Sequence, residues 1–79
     1  MKQHGNGYCT SGYYRGWDGK GVESQEACNN VCLQEAECLY AAFFKERTCS
    51  RYNEKICELN TDRNHMTYKK DLESGFFLG

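Results

Sequence analysis

Three cysteines fall within the stretch CNNVCLQEAEC, residues 28–38, and cysteine is the residue type in this chain with the most chemistry to offer. The full set is Cys9, Cys28, Cys32, Cys38, Cys49 and Cys57. Thiols can hold a metal, run a redox cycle or cross-link the chain, and their spacing separates these roles. A structural zinc site draws ligands from tight Cys-x2-Cys knuckles. The closest spacing here is Cys-x3-Cys, and His4 and His65 stand far from any paired position. A thioredoxin-type centre needs Cys-x-x-Cys, which is absent. Neither a metal nor another cofactor is expected. Cross-linking remains, and the even number of cysteines fits it.

Other catalytic chemistry finds little footing. A nucleophile needs an adjacent base and a group to orient that base. The two histidines lack such a context, and each reads as a surface or strand residue. Glu35, Glu37 and Asp62 are carboxylates, but charged residues make up 27% of the chain, so neighbouring acids are common by chance. The NTDRN segment offers oxygen donors at Asn60, Thr61, Asp62 and Asn64. Arg63 in its middle points to an ordinary turn rather than a calcium loop.

Aromatic residues are the richer signal. Tyr13, Tyr14 and Trp17 cluster with Arg15 and Asp18 in YYRGWDG, and Arg51, Tyr52 and Tyr68 form a second group. In a small domain such rings either fill the core or form a binding platform. As platform residues, they would stack on a sugar face or anchor a protein partner, with Arg and Asp supplying directional hydrogen bonds. As filler, they would plug the sheet and cover the disulfides.

These groups must be positioned by one small domain, because 79 residues leave no room for a second. Apolar residues are 39% of the chain and mean hydropathy is −0.84, so the core is thin. Burial at this size rarely leaves more than ~3–5 kcal/mol, which makes cross-links a structural need. Six cysteines in so short a chain imply an oxidising compartment: secreted, extracellular or the lumen of a secretory organelle. A net charge of −1 argues against nucleic acid or anionic lipid as the main partner, since both call for a basic surface. The lysine pair at 69–70 reads as a solvated strand edge. No stretch is long and apolar enough to insert in a membrane. The opening MKQHGNGYC lacks the apolar centre of a signal peptide, so an exported form is expected to be mature or excised.

The expected elements follow from local pattern. Residues 1–7 read as a flexible N-terminus and 8–14 as a strand rich in aromatic residues. Residues 15–21, with three glycines, read as a loop. Ser24 can cap a helix over about 24–35, in which Cys28, Val31 and Cys32 share one face. CLYAAFF at 38–44 reads as a buried central strand, with Tyr40, Phe43 and Phe44 mostly in the core. Residues 49–52 and 56–59 read as a hairpin, 60–64 as a turn and 65–70 as a last strand. Residues 71–79 read as a C-terminal tail. The fold class is α+β: one helix packed across an antiparallel sheet of four to five strands.

Six cysteines allow 15 pairings. Cys28 and Cys32 lie one helical turn apart and both can look toward the sheet. Cys32 can reach Cys38 as the chain enters the central strand, and Cys28 can reach Cys49 on its neighbour. Two such bonds would fix the helix in distance and angle, closing loops of about seven and about twenty-two residues worth ~2–3 and ~3 kcal/mol. Cys9 and Cys57 would remain. The block SQEACNNVCLQEAECLYAAFF, followed by TCSRYN and a closing TYKK, resembles the PAN/apple superfamily over residues 8–70. The resemblance implies a sheet crossed by one helix and the pairs Cys28–Cys49 and Cys32–Cys38. It also implies a third bond, found in the apple subgroup, that joins the domain ends; Cys9 fits its first member. Cys57 comes only eight residues after Cys49, whereas the apple pattern puts its last cysteine near the end. A cross-strand Cys49–Cys57 link therefore competes with Cys9–Cys57.

The function expected on these grounds is a non-enzymatic extracellular recognition or adhesion module. Its partner would be a protein or glycan on a cell surface or in the matrix, as one module of a larger chain. Some members of the resembled family are galactose-type lectins. The ligand-binding candidates are Tyr13, Tyr14, Arg15, Trp17, Asp18, Arg51, Tyr52 and Tyr68. The competing expectation is a small secreted effector (a toxin, protease inhibitor or signal) acting as a free domain.

Overall fold

A computed structural model describes residues 1–16, 22–44 and 48–70. Seven strands and one helix occur among them: β1 Lys2–Asn6, β2 Tyr8–Cys9, β3 Tyr13–Arg15, α1 Gln25–Gln34, β4 Tyr40–Phe44, β5 Thr48–Tyr52, β6 Leu59–Asn60 and β7 His65–Lys69. Five strands form one antiparallel sheet in the order β1-β7-β4-β5-β3, and β2 pairs with β6 in a separate ribbon. One helix on an antiparallel five-stranded sheet is the α+β arrangement that the sequence implies.

Helix α1 starts where capping chemistry directs it. The Ser24 side chain accepts a hydrogen bond from the Ala27 N–H at 3.1 Å, and Glu26 places a negative charge in the first turn. At the other end the Glu35 N–H donates to the Val31 and Cys32 carbonyls, both at 3.2 Å. The 3.6-residue period puts Cys28 and Cys32 on the buried face, and both are fully enclosed. No basic residue occupies the last helical turn. Lys70, just past β7, supplies the missing cation by donating from Nζ to the Glu35 carbonyl at 2.8 Å.

Strand β4 is the centre of the sheet and is covered on both faces. Ala41 belongs to the helix-side cluster with Val22, Cys28, Cys32, Cys38 and Cys49. Tyr40 and Ala42 belong to the opposite cluster with Cys9, Tyr52 and Cys57. The two alanines are fully buried, and their small side chains let both layers approach the strand closely. Tyr40 is core, as expected, while Phe43 and Phe44 are only half-buried.

The β2–β6 ribbon makes the second layer possible, and local pattern does not reveal it. Residues 49–52 and 56–59 do not form a hairpin. β5 pairs with β3 and β4, and β6 pairs with β2, because residues 53–58 cross to the other face. The expected strand over 8–14 divides for the same reason. Its first half joins the ribbon, and its second half becomes the β3 edge after Gly12, whose φ of +88° carries the bend. The N-terminal residues 1–7 are not frayed but form edge strand β1 against β7, with Lys2 opposite Lys69 and Asn6 opposite Met66. Gly7, at φ +133°, then brings the chain against Asn60, whose carbonyl a Cβ would strike. The Gly7 N–H donates to the His65 carbonyl at 2.9 Å. Residues 17–21, most of the expected 15–21 loop, and residues 71–79 lie outside the described residues.

Three disulfides join these layers: Cys28–Cys49, Cys32–Cys38 and Cys9–Cys57, with Cα separations of 5.5, 5.2 and 4.9 Å. The first two hold α1 to β5 and to the entry of β4. The third holds the ribbon together beneath the opposite face, so the alternative Cys49–Cys57 link does not form.

Candidate functional site

Because β3 pairs with β5, Tyr13, Tyr14 and Arg15 meet Arg51 and Tyr52. The group then splits by burial. Tyr13 is 61% exposed and meets the Tyr52 ring edge to face, centroids 6.0 Å apart. Tyr52 itself is buried, and that burial raises its phenol above the ordinary tyrosine value, the Ser50 hydrogen bond opposing. Tyr14 turns toward the helix and donates its hydroxyl to Glu35 Oε1 at 2.6 Å. Burial raises its pKa most, and the bond to Glu35 adds to the shift. Tyr68 lies two strands from β5, opposite Ala41 on β7, and is half-buried. Trp17 and Asp18 lie outside the described residues. Of the expected platform, Tyr13 and Arg15 therefore face solvent, while Tyr14, Arg51 and Tyr52 hold the architecture.

Glu35 organises this end of the molecule. Its carboxylate accepts the Tyr14 hydroxyl and lies 3.5 Å from Arg51 Nε and 3.8 Å from Arg15 Nη1. Arg51 is only 2% exposed, and its Nη2 donates to the Gly16 carbonyl at 3.0 Å. Among the described residues its Nε–H has no hydrogen-bond acceptor, so the charge of Glu35 compensates it without a well-formed hydrogen bond. Chain order hides this hub. Glu35 reads as one acid among many until the helix end is laid over β3 and β5.

A second feature hidden in the sequence is a cleft of about 200 Å³ lined by Leu39, Tyr40, Lys55, Lys69 and Lys70. Register builds it: Tyr40 opposes Lys69, and the Lys70 N–H donates to the Leu39 carbonyl at 2.8 Å. Lys55 comes from the 53–58 crossover, where its carbonyl accepts the Tyr40 hydroxyl at 2.9 Å. The lysine pair at 69–70 is thus not merely a solvated strand edge.

At the opposite end of the sheet, His65 Nδ1 lies 3.1 Å from Asp62 Oδ2. The His65 ring stands 4.6 Å from Phe44 and 5.0 Å from Tyr8, measured between centroids. Asp62 Oδ1 accepts the Asn64 N–H at 2.7 Å. These contacts make NTDRN a self-bonded turn with a shallow concavity beside it, about 450 Å³, lined by Asn6, Thr61, Asp62 and Arg63. The Asn64 N–H lowers the Asp62 pKa most; desolvation opposes it, and His65 lowers it further. A folded-state pKa below the unfolded value means the contribution to stability is present above about pH 4 and fades as pH falls through the folded value. Asp62→Asn is therefore expected to lower the urea midpoint at pH 7, with the gap to wild type closing toward about pH 2. A gap that stays constant over that range would contradict this role.

All six sulfurs are bonded in pairs, so none is available as a nucleophile or metal ligand. Among the described residues no group of three His, Cys, Asp or Glu side chains could hold a metal ion. No helix among them is long and apolar enough to cross a membrane. Fold and cross-links define a small disulfide-rich α+β domain, and the three bonds are consistent with an extracellular location. The chain matches no protein-family model, no curated protein and no solved structure.

Proposed function

We propose that this domain is a non-enzymatic extracellular recognition module of the PAN/apple kind, presenting a rigid surface to a protein or glycan partner. The observation that carries the reading is the double fastening of α1 by Cys28–Cys49 and Cys32–Cys38, with Cys9–Cys57 closing the other face. The two bonds to the helix agree with those the PAN/apple resemblance implies, while Cys57 stands earlier in the chain than the apple pattern puts its last cysteine. The framework also leaves Tyr13 and Arg15 exposed on edge strand β3, which pairs with β5, the strand that Cys49 ties to the helix. A tyrosine loses little rotamer entropy when it docks, and aromatic and arginine side chains are the residue types that anchor interfaces.

The test is a heteronuclear NMR titration of the oxidised domain with galactose and N-acetylgalactosamine, alongside a glycan array and binding to matrix-protein fragments. A ligand of this surface should move the Tyr13 and Arg15 resonances. Tyr13→Ala should then weaken its binding about tenfold or more, the scale of an aromatic anchor. Thermal stability should change little, because the ring is mostly exposed. If no sugar moves these resonances, the galactose-lectin branch falls. If array and protein fragments also fail, the effector reading takes precedence.

A further inference from the structure

Resting on the reading of the domain as a recognition module, we infer that the cleft between β4, β7 and the 53–58 crossover is a docking site for an acidic peptide segment. Three of the chain's six lysines, Lys55, Lys69 and Lys70, converge on this one cleft in a molecule whose net charge is −1. Like charges so placed repel one another, and among the described residues the chain places only part of the offset there. Lys70 donates one N–H to the Glu35 carbonyl, while Lys55 and Lys69 are exposed.

The hydrogen-bonding inventory selects the ligand. An ammonium has three donors and no acceptor. The one hydroxyl of the lining, on Tyr40, is already committed to the Lys55 carbonyl. A neutral sugar, whose hydroxyls both donate and accept, would find at most the Tyr40 oxygen as a side-chain acceptor for its several donors here. Nor is there a ring for it to stack on, since Tyr40 is 3% exposed. Carboxylates accept only, and so fit the rim. The floor of Leu39 and the Tyr40 edge suits one aliphatic side chain between two acids. Glu or Asp flanking a leucine meets both requirements, which is why a peptide is assigned rather than a glycan. Burial also holds the Lys70 ammonium below its usual pKa, the Glu35 charge opposing, so a bound carboxylate would restore charge stability that the fold removes.

The probe is acetyl-Glu-Leu-Glu-Glu-amide, titrated into the intact, isotope-labelled domain at neutral pH, with the glutamine version of the peptide as its control. The expected result is saturable movement of the Leu39, Tyr40, Lys69 and Lys70 amides by the acidic peptide alone. The Lys55→Gln/Lys69→Gln variant, which spares the structural Lys70 contact, should bind at least about tenfold more weakly while keeping a folded spectrum. Raising salt past 0.1 M, where the Debye length is about 10 Å, should weaken binding further. Unmoved cleft resonances, equal shifts with the glutamine peptide, or stronger shifts with a sulfated disaccharide would each overturn the assignment. A silent cleft together with a ligand at Tyr13 and Arg15 would remove the acidic-peptide site and leave the recognition module standing. Silence at both surfaces would remove the two together.

Discussion

Replacing Cys28 and Cys49 together by alanine lowers the unfolding midpoint by about 15–30 °C. The bond spans 21 residues, and closing a loop of that size is worth about 3 kcal/mol. Both side chains are fully buried in the helix-side cluster, so truncation also leaves a cavity, adding about 1 kcal/mol. In a domain of this size each kcal/mol moves the midpoint by about 4–8 °C, which sets the range. The Cys32→Ala/Cys38→Ala pair, spanning 6 residues, should cost less, about 2–3 kcal/mol. The comparison checks the mechanism as well as the size. Circular dichroism melts of the two oxidised double variants should rank Cys28–Cys49 as the more damaging loss. Equal small shifts, under about 5 °C, would mean that packing rather than cross-linking holds the helix to the sheet.

The second large effect is expected at Glu35. Breaking a buried ion pair from one side strands the other charge and costs about 3–5 kcal/mol. Glu35 is 24% exposed, and water partly screens the pair, so about 2–3 kcal/mol is expected for Glu35→Ala. That change strands the Arg51 guanidinium and removes the acceptor of the Tyr14 hydroxyl. Arg51→Met should be milder, because Glu35 keeps Tyr14, Arg15 and solvent. The double variant Glu35→Ala/Arg51→Met should be less destabilised than the two single changes added together, since no buried charge is left over. Urea midpoints for the set supply the cycle. If Glu35→Ala is within about 0.5 kcal/mol of wild type, the hub is decorative and Arg51 finds its compensation elsewhere.

Each of these effects depends on a different kind of information. The helix is written locally: Ser24 at the cap, Glu26 in the first turn and cysteines four residues apart on one face. Those features act over a single turn, so a linear reading finds them within a residue of their true limits. The short Cys32–Cys38 bridge is equally close to the chain's own grain, and the central strand announces itself as an apolar run between polar clusters. The candidate platform was legible only in part. β3 does bring Tyr13, Tyr14 and Arg15 to Arg51 and Tyr52, but the pairing also turns Tyr14, Arg51 and Tyr52 inward.

What the sequence alone determined, then, is the need for cross-links, the helix with its buried cysteine face, and an α+β class. Tertiary structure alone decided that the N-terminus becomes edge strand β1 and that Cys57 joins Cys9 through the β2–β6 ribbon. It also decided that Glu35 serves the helix end and two arginines, and that three lysines share one cleft. Caps and helical periodicity are settled between residues a few positions apart. Strand neighbours, sheet register and the face a crossing segment chooses are settled by contacts between residues tens of positions apart. Such contacts exist only after the chain has closed on itself, and no short window of sequence contains both partners.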